Sequence, residues 1–124
     1  MDVVNLAEKF EQFSDYWHPR IVGELNDAYV KLAKLKGEFV WHLHHNEDEM
    51  FLVVKGVLKM CIREGGENCV RTLTVGPGEF LIVPKGVEHY PVAEEEVLVM
   101  LVEPKTTVNT GNVRSERTQE AEWL

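Results

Sequence analysis

The chain has 124 residues, of which 44% are hydrophobic and 27% charged, and a formal net charge of −8. That length encloses one core and makes one domain, with the composition of a soluble globular protein. The acidic balance argues against nucleic acid or an anionic membrane as partner, because both select a basic face.

The N-terminus, Met1-Asp2-Val3-Val4-Asn5, has neither the basic stretch nor the apolar stretch of a signal peptide. Apolar runs such as Phe51-Leu52-Val53-Val54 are too short to span a bilayer. With these features and only two cysteines, Cys61 and Cys69, the expected compartment is the cytoplasm and the expected thiol state is reduced. The two cysteines flank the turn-like Glu64-Gly65-Gly66-Glu67-Asn68, so a pairing across a hairpin is the alternative.

Leu6, Phe10 and Phe13 recur at i, i+4 and i+7, and Asn5-Leu6-Ala7-Glu8 fits a capping box. This predicts a short helix with one apolar stripe, in a lead-in over residues 1–18 that ends at His18-Pro19. From Ile21 the pattern changes to short strands, expected over 21–25, 29–35, 38–44, 50–54, 57–62, 70–75, 80–83 and 97–102. Turn chemistry separates most of them: Asn26-Asp27, Lys36-Gly37, Lys55-Gly56, Gly65-Gly66, Gly76-Pro77-Gly78 and Lys85-Gly86. Many short strands without intervening helices predict an all-β antiparallel sandwich or barrel over 21–103. The polar tail over 104–124 holds little apolar material before Trp123-Leu124, and reads as an extended arm or a partly disordered one.

The chemistry concentrates in four residues. Strand alternation puts His42 and His44 on one face beside Val40, and turns Phe39, Trp41 and Leu43 to the other. If the histidines face inward, those three apolar side chains need cover, from the N-terminal helix or from a second subunit; a homodimer follows as an inference. Glu49 opens the next strand on the same face as Phe51 and Val53, and His89 arrives on the loop after Pro84-Lys85-Gly86. Imidazole nitrogens with one carboxylate suit a borderline divalent transition metal.

Gly37…His42-x-His44-x4-Glu49-x6-Gly56 resembles the first cupin motif, and Gly78-x5-Pro84-x-Gly86-x2-His89 resembles the second. The two motifs cover residues 37–56 and 78–89, in order, with a hairpin between them. The resemblance implies a double-stranded β-helix, the jelly-roll cupin barrel, with a metal held by His42, His44, Glu49 and His89. The chain departs from the pattern twice: Gly37 to His42 is one residue short, and Ala93 stands where the second motif often has Asn, which argues against the germin-like oxalate-oxidising branch. In size it resembles stand-alone cupins labelled by analogy with mannose-6-phosphate isomerase, and it is too short to resemble the full isomerase.

The rival ligands His45 and Glu47 read as solvated loop residues, and His18 as structural or surface. Trp41, Phe51 and Tyr90 are candidates for a pocket wall or for core. Arg63 and Lys59 alternate with Leu58, Met60 and Ile62 and are expected to face water, and Glu94-Glu95-Glu96 reads as a solvated turn. Glu47, Asp48, Glu88 and Tyr90 are the nearby acid or base candidates, and none stands out. No P-loop or dinucleotide fingerprint is present. Two functions stay open. One is an enzyme of the dioxygenase or isomerase type, dependent on iron, manganese, nickel, zinc or copper and acting on a small polar molecule. The other is a non-catalytic cupin that binds or senses a small ligand.

Overall fold

A computed structural model describes residues 1–63 and 71–124. The expected turn at 64–68, Cys69 and the start of the strand expected at 70 lie outside the described residues. Among the described residues, helix α1 (Leu6–Phe10) precedes eight strands: β1 (Arg20–Leu25), β2 (Ala28–Glu38), β3 (Glu49–Lys55), β4 (Leu58–Arg63), β5 (Arg71–Val75), β6 (Phe80–Val83), β7 (Glu88–Pro104) and β8 (Glu122–Trp123). The all-β jelly-roll barrel with a short N-terminal helix is the architecture found.

Strand β7 organises the barrel. One of its edges pairs over residues 92–104 with the whole length of β2, antiparallel. On the other edge, residues 88–92 pair with β4 and residues 98–102 with β3. Strands β5 and β6 extend these two sides by pairing with β4 and β3. Between the two sides β7 turns a corner: Ala93 faces Gly37 and Val97 faces Leu35, so Glu94, Glu95 and Glu96 stand opposite the single residue Lys36. Those glutamates form a solvated bulge inside a long strand rather than the turn expected between strands. Gly56, at φ +87°, brings the β3–β4 turn against this corner, where a Cβ would lie 2.5 Å from the Glu96 carbonyl oxygen.

Side-chain alternation separates the two faces of the sheet. Phe51 and Val53 of β3, Leu58 and Met60 of β4, and Val97, Val99 and Leu101 of β7 fill the interior. Each such side chain contributes about 1.5–3 kcal/mol by leaving water. Leu32 of β2 faces outward, where Phe10 and Phe13 cover it. Helix α1 is held by its Asn5 cap, whose side chain accepts a hydrogen bond from Glu8 N at 3.0 Å. It ends at Phe10, so Phe13 reaches Leu32 from the following loop, with Arg20 and Lys34 over its ring.

The strand expected over 38–44 does not form. Strand β2 ends at Glu38, and 39–48 follow an irregular path in which His42 makes one isolated bridge, to His89. The expected loop at 87–89 belongs mostly to β7, which begins at Glu88. Alternation holds only over His42, Leu43 and His44: Phe39, expected on the opposite face, is buried in the core, and Val40, expected beside the histidines, is only partly buried, because the irregular path lacks the pleat of a strand.

The cover for the outward residues comes from the chain itself and not from α1. Phe39 enters the core and stacks on Trp17 at 4.7 Å between ring centroids. Trp41 stacks on Tyr90 at 5.1 Å and lies under Arg63. Leu43 is held by the C-terminal arm, its N–H donating to Asn112 Oδ1 and its carbonyl accepting from Asn112 N. Gly111 sits so close to the Leu43 carbonyl that a Cβ would collide with it. The arm is folded onto the barrel and finishes with β8 parallel to β1. No helix among the described residues is long and apolar enough to cross a membrane.

Candidate metal centre

His42, His44, Glu49 and His89 come together at one end of the barrel, all buried, with one ligand atom from each within 4.8 Å of the others. Ligands bound at 2.0–2.2 Å stand roughly 3.3 Å apart across a tetrahedral edge and roughly 4.2 Å apart when trans, so the spacing suits one ion with slight contraction. Two backbone hydrogen bonds join the segments that carry the histidines, His42 N to His89 O at 3.1 Å and His89 N to His42 O at 2.9 Å. Gly86 N donates to His44 O at 2.7 Å. This bridging replaces the missing strand as the device that sets the histidines.

Ring orientation follows the same logic. His42 Nδ1 lies 2.8 Å from Val40 O and His89 Nδ1 3.0 Å from Val87 O. Each Nδ1–H donates to its carbonyl, which leaves Nε2 as a lone-pair donor turned to the centre. Glu49 Oε1 lies 3.4 Å from both His44 Nε2 and His89 Nε2, too far and too poorly aligned for a hydrogen bond. Those three atoms and His44 Nδ1 are buried without a partner. Buried polar atoms are almost always paired, and a cation between them would satisfy His44 Nε2, His89 Nε2 and Glu49 Oε1 together. The donor set therefore fits a divalent transition metal.

The electrostatics prepare the same state. Burial, then the neighbouring His89, pushes the His42 imidazole down to about 3, so it is neutral at physiological pH. Burial alone would raise the Glu49 carboxyl, but hydrogen bonding with the facing Glu103 carboxyl, together with the adjacent His44 and His89 imidazoles, outweighs burial and holds the group well below its usual range. A neutral imidazole and an ionised carboxylate are the forms that ligate.

Two residues at this end carried no functional reading in the sequence. Glu103 continues the inward alternation Val97, Val99, Leu101 and stands in register with Glu49 on the adjoining strand. Lys31 lies on the inward face of β2 and donates to Glu103 Oε1 at 2.8 Å; its side chain is 3% exposed and that of Glu103 2%. Burial, reinforced by Glu49, pushes the Glu103 carboxyl well above its usual range, with Lys31 pulling it back. The expected end of the last barrel strand at 102 hid Glu103, and the spacing Lys31-x-Ala33-x-Leu35 was the signal for Lys31.

Above these groups lies a cavity of about 40 Å³, with apolar walls from Trp17, Leu35, Phe39, Phe51 and Leu101, and with His42, Glu49, Glu103 and Asn109 as its polar groups. Trp17 is held at φ 62°, strained for a bulky residue, by hydrogen bonds from its N–H to Lys34 O and from Nε1 to Lys36 O, each 2.9 Å. Of the aromatic candidates, Phe51 lines this cavity, whereas Trp41 and Tyr90 stack on each other outside its lining.

The other candidates have separate tasks. His45 is exposed, and Glu47 accepts from Thr106 Oγ1 at 3.1 Å. Asp48 accepts from Lys85 N, and Glu88 takes a two-pronged pair of bonds from Arg63. Lys59 pairs with Glu94 at the surface. His18 joins Asp15 to the Glu120 carbonyl, tying the lead-in to the C-terminal arm. Cys61 Sγ lies 3.3 Å from Thr72 Oγ1.

Comparison with known proteins agrees with this architecture. The chain is 31% identical over 100 residues to an uncharacterized protein, YdbB, of Bacillus subtilis, covering 81% of this chain and 78% of that one. It is 28% identical over 78 residues to acireductone dioxygenase of the same organism, covering 63% of this chain and only 43% of the dioxygenase. A cupin-2 domain containing protein from Shewanella frigidimarina superposes with a TM-score of 0.76 at 43% identity, covering 82% of this chain and 94% of that one. The Cupin domain model matches residues 28–103, from the start of β2 almost to the end of β7, and the chain therefore belongs to the cupin family.

Proposed function

We propose that His42, His44, Glu49 and His89 bind one divalent transition metal, and that the protein is a metal-dependent enzyme of the dioxygenase type acting on a small molecule in the cavity beside them. The observation that carries the reading is the set of buried, unpartnered ligand atoms converging on one point. Similarity to acireductone dioxygenase favours oxygen chemistry over isomerisation. A bound iron, manganese, nickel or copper ion would supply redox or Lewis-acid chemistry, whereas zinc would supply Lewis acidity alone.

The protein's own contribution is positional. Neutral His42 and ionised Glu49 are ready to ligate at neutral pH without first losing a proton. The Val40 and Val87 carbonyls fix two rings, and the apolar wall of Trp17, Phe39 and Leu101 limits water beside the polar groups.

Elemental analysis of protein purified without chelator or metal-affinity tag tests the reading against the His42→Ala/His89→Ala double variant. Near-stoichiometric iron, manganese, nickel or copper that disappears in the variant supports it. Zinc would turn the assignment to Lewis-acid chemistry, and no metal in either protein after reconstitution would favour a non-catalytic binding cupin.

We also infer a homodimer, on a different face from the one suggested by strand alternation. Phe80 and Ile82 on β6 are 60% and 54% exposed, and they pair in register with the partly buried Leu52 and Met50 of β3. Sedimentation of the dilute protein as a monomer would remove this assembly.

A further inference from the structure

We propose that Asn112, on the C-terminal arm, is a positioning residue for the candidate metal centre: by clamping the Leu43 backbone at both its N–H and its carbonyl, it holds the adjoining His44 where an ion can bind. The inference rests on the metal-binding reading and extends it to the arm, which becomes part of the site.

The three histidines are held in different ways. The Val40 and Val87 carbonyls fix the His42 and His89 rings through Nδ1, at 2.8 and 3.0 Å. His44 has no such bond, because both its ring nitrogens are buried without a partner. A ligand whose second nitrogen has no hydrogen bond relies on packing and on its backbone for its aim. That backbone lies outside every strand among the described residues.

Two elements hold this stretch. On one side Gly86 N donates to the His44 carbonyl at 2.7 Å. On the other, Leu43 N donates to Asn112 Oδ1 at 2.9 Å, and Asn112 N donates to the Leu43 carbonyl at 3.0 Å. Leu43 stands between the ligands His42 and His44, and it cannot slide or turn without breaking one of those two bonds. The turn that presents Asn112 is itself braced. Gly111 N donates to Val108 O at 2.8 Å, Val113 N donates to Thr110 O at 3.0 Å, and the buried Thr110 shares a 2.7 Å hydrogen bond with Thr118. Gly111 lies against the Leu43 carbonyl and the His42 ring with no room for a Cβ. A second tie, Thr106 Oγ1 to Glu47 at 3.1 Å, joins the arm to the same loop. Of these contacts the Asn112 side chain is the one that a substitution removes alone.

The test titrates the full chain with cobalt(II), whose visible bands report the ligand set, and follows thermal unfolding of the metal-free protein. Asn112→Ala removes the Oδ1 acceptor, and Asn112→Asp keeps one. Asn112→Ala should bind cobalt about tenfold to a hundredfold more weakly, with altered visible bands. Its metal-free melting temperature should stay close to that of the unaltered chain, because Asn112 is exposed. Asn112→Asp should recover most of the affinity. Coupling is reciprocal, so zinc should slow amide exchange at Leu43 and Asn112 in the unaltered chain.

Unchanged cobalt affinity in Asn112→Ala would overturn the inference, and so would an Asn112→Asp variant as weak as Asn112→Ala. A lower metal-free melting temperature with cobalt affinity retained would show the clamp serving stability alone, and would overturn it too. Should Asn112→Ala fail to fold, the exchange measurement decides: Leu43 and Asn112 amides that exchange equally with and without zinc refute the link between arm and centre. Failure of the unaltered chain to take up cobalt would sink the metal-binding reading itself, whereas uptake that ignores Asn112 leaves that reading intact and removes only this inference.

Discussion

The two ends of the barrel interior are made from the same strands and differ in kind. On β7 the inward row passes from Val97 and Val99 to Leu101 and then Glu103, and on β3 from Val53 through Phe51 to Glu49. Water is excluded equally at both ends: Val53 and Val99 are 0% exposed, Glu103 3% and Glu49 4%. At the apolar end the buried side chains pack against one another in a single cluster. At the other end Glu49, His44 and His89 each keep a polar atom without a partner, and the Glu103 carboxyl is pressed against that of Glu49. Burial of the first kind lowers the free energy of the fold, and burial of the second kind raises it unless a ligand intervenes. One end of the barrel therefore holds the structure together and the other gathers the side chains of the candidate site.

Paired substitutions should separate the two ends, and they carry the largest expected effect. Leu58→Ala, at a position with 0% exposure, should lower stability by about 2–5 kcal/mol in denaturant unfolding and leave the metal stoichiometry unchanged. His44→Ala should do the reverse. Metal content falls strongly, while the metal-free protein loses less stability than Leu58→Ala does, because the imidazole it removes has both nitrogens unpaired. If His44→Ala kept the metal, or destabilised the metal-free chain as much as Leu58→Ala, the division between the ends would fail.

Acid should sharpen the comparison. The usual imidazole value of 6.5 applies to His42 in the unfolded chain, and the folded environment pushes it down to about 3. Between those values the unfolded state binds more protons than the folded one, so stability rises with pH in that window and is lost as pH falls. Each proton contributes a slope of up to about 1.4 kcal/mol per pH unit. Glu49, held below its usual range, adds to the loss at the acidic end, while Glu103, pushed up, acts in the opposite sense. Unfolding of the metal-free protein across pH 3–7 should therefore show a flatter profile in His42→Ala. An unchanged profile would mean that the buried imidazole does not set the acid limit.

The smallest expected effect on stability lies outside the barrel. Phe80→Ser/Ile82→Ser removes exposed apolar surface and should change monomer stability by only about 0.5 kcal/mol. Its effect belongs to the proposed assembly: if the unaltered protein sediments as a dimer, the variant should sediment as a monomer.

Much of this organisation was legible in order along the chain. Period-2 alternation marked most of the strands, and the turn residues Lys55-Gly56 and Asn26-Asp27 stand between the strands they were expected to separate. The inward turn of His42 and His44 was legible because alternation holds over 42–44, where a bridge to His89 fixes the segment, whereas Phe39, expected on the other face, went into the core. The continuity of β7 was hidden, because Glu94-Glu95-Glu96 has the composition of a turn and only its register against Lys36 makes it a bulge. The folding of the polar arm onto Leu43 was equally hidden, since it depends on Asn112 and Gly111 meeting a backbone sixty-eight residues and more away.

Taken alone, the order of residues determined the all-β class, the short capped helix and a set of four ligand-type side chains, because these depend on local periodicity and residue chemistry. Tertiary structure decided which atoms of those side chains are left unpaired, and it added Lys31 and Glu103 to the site. Strands distant in sequence become neighbours only when the barrel closes. Only then does the carboxyl group opposite Glu49 acquire its register, its lysine and its contact with Glu49.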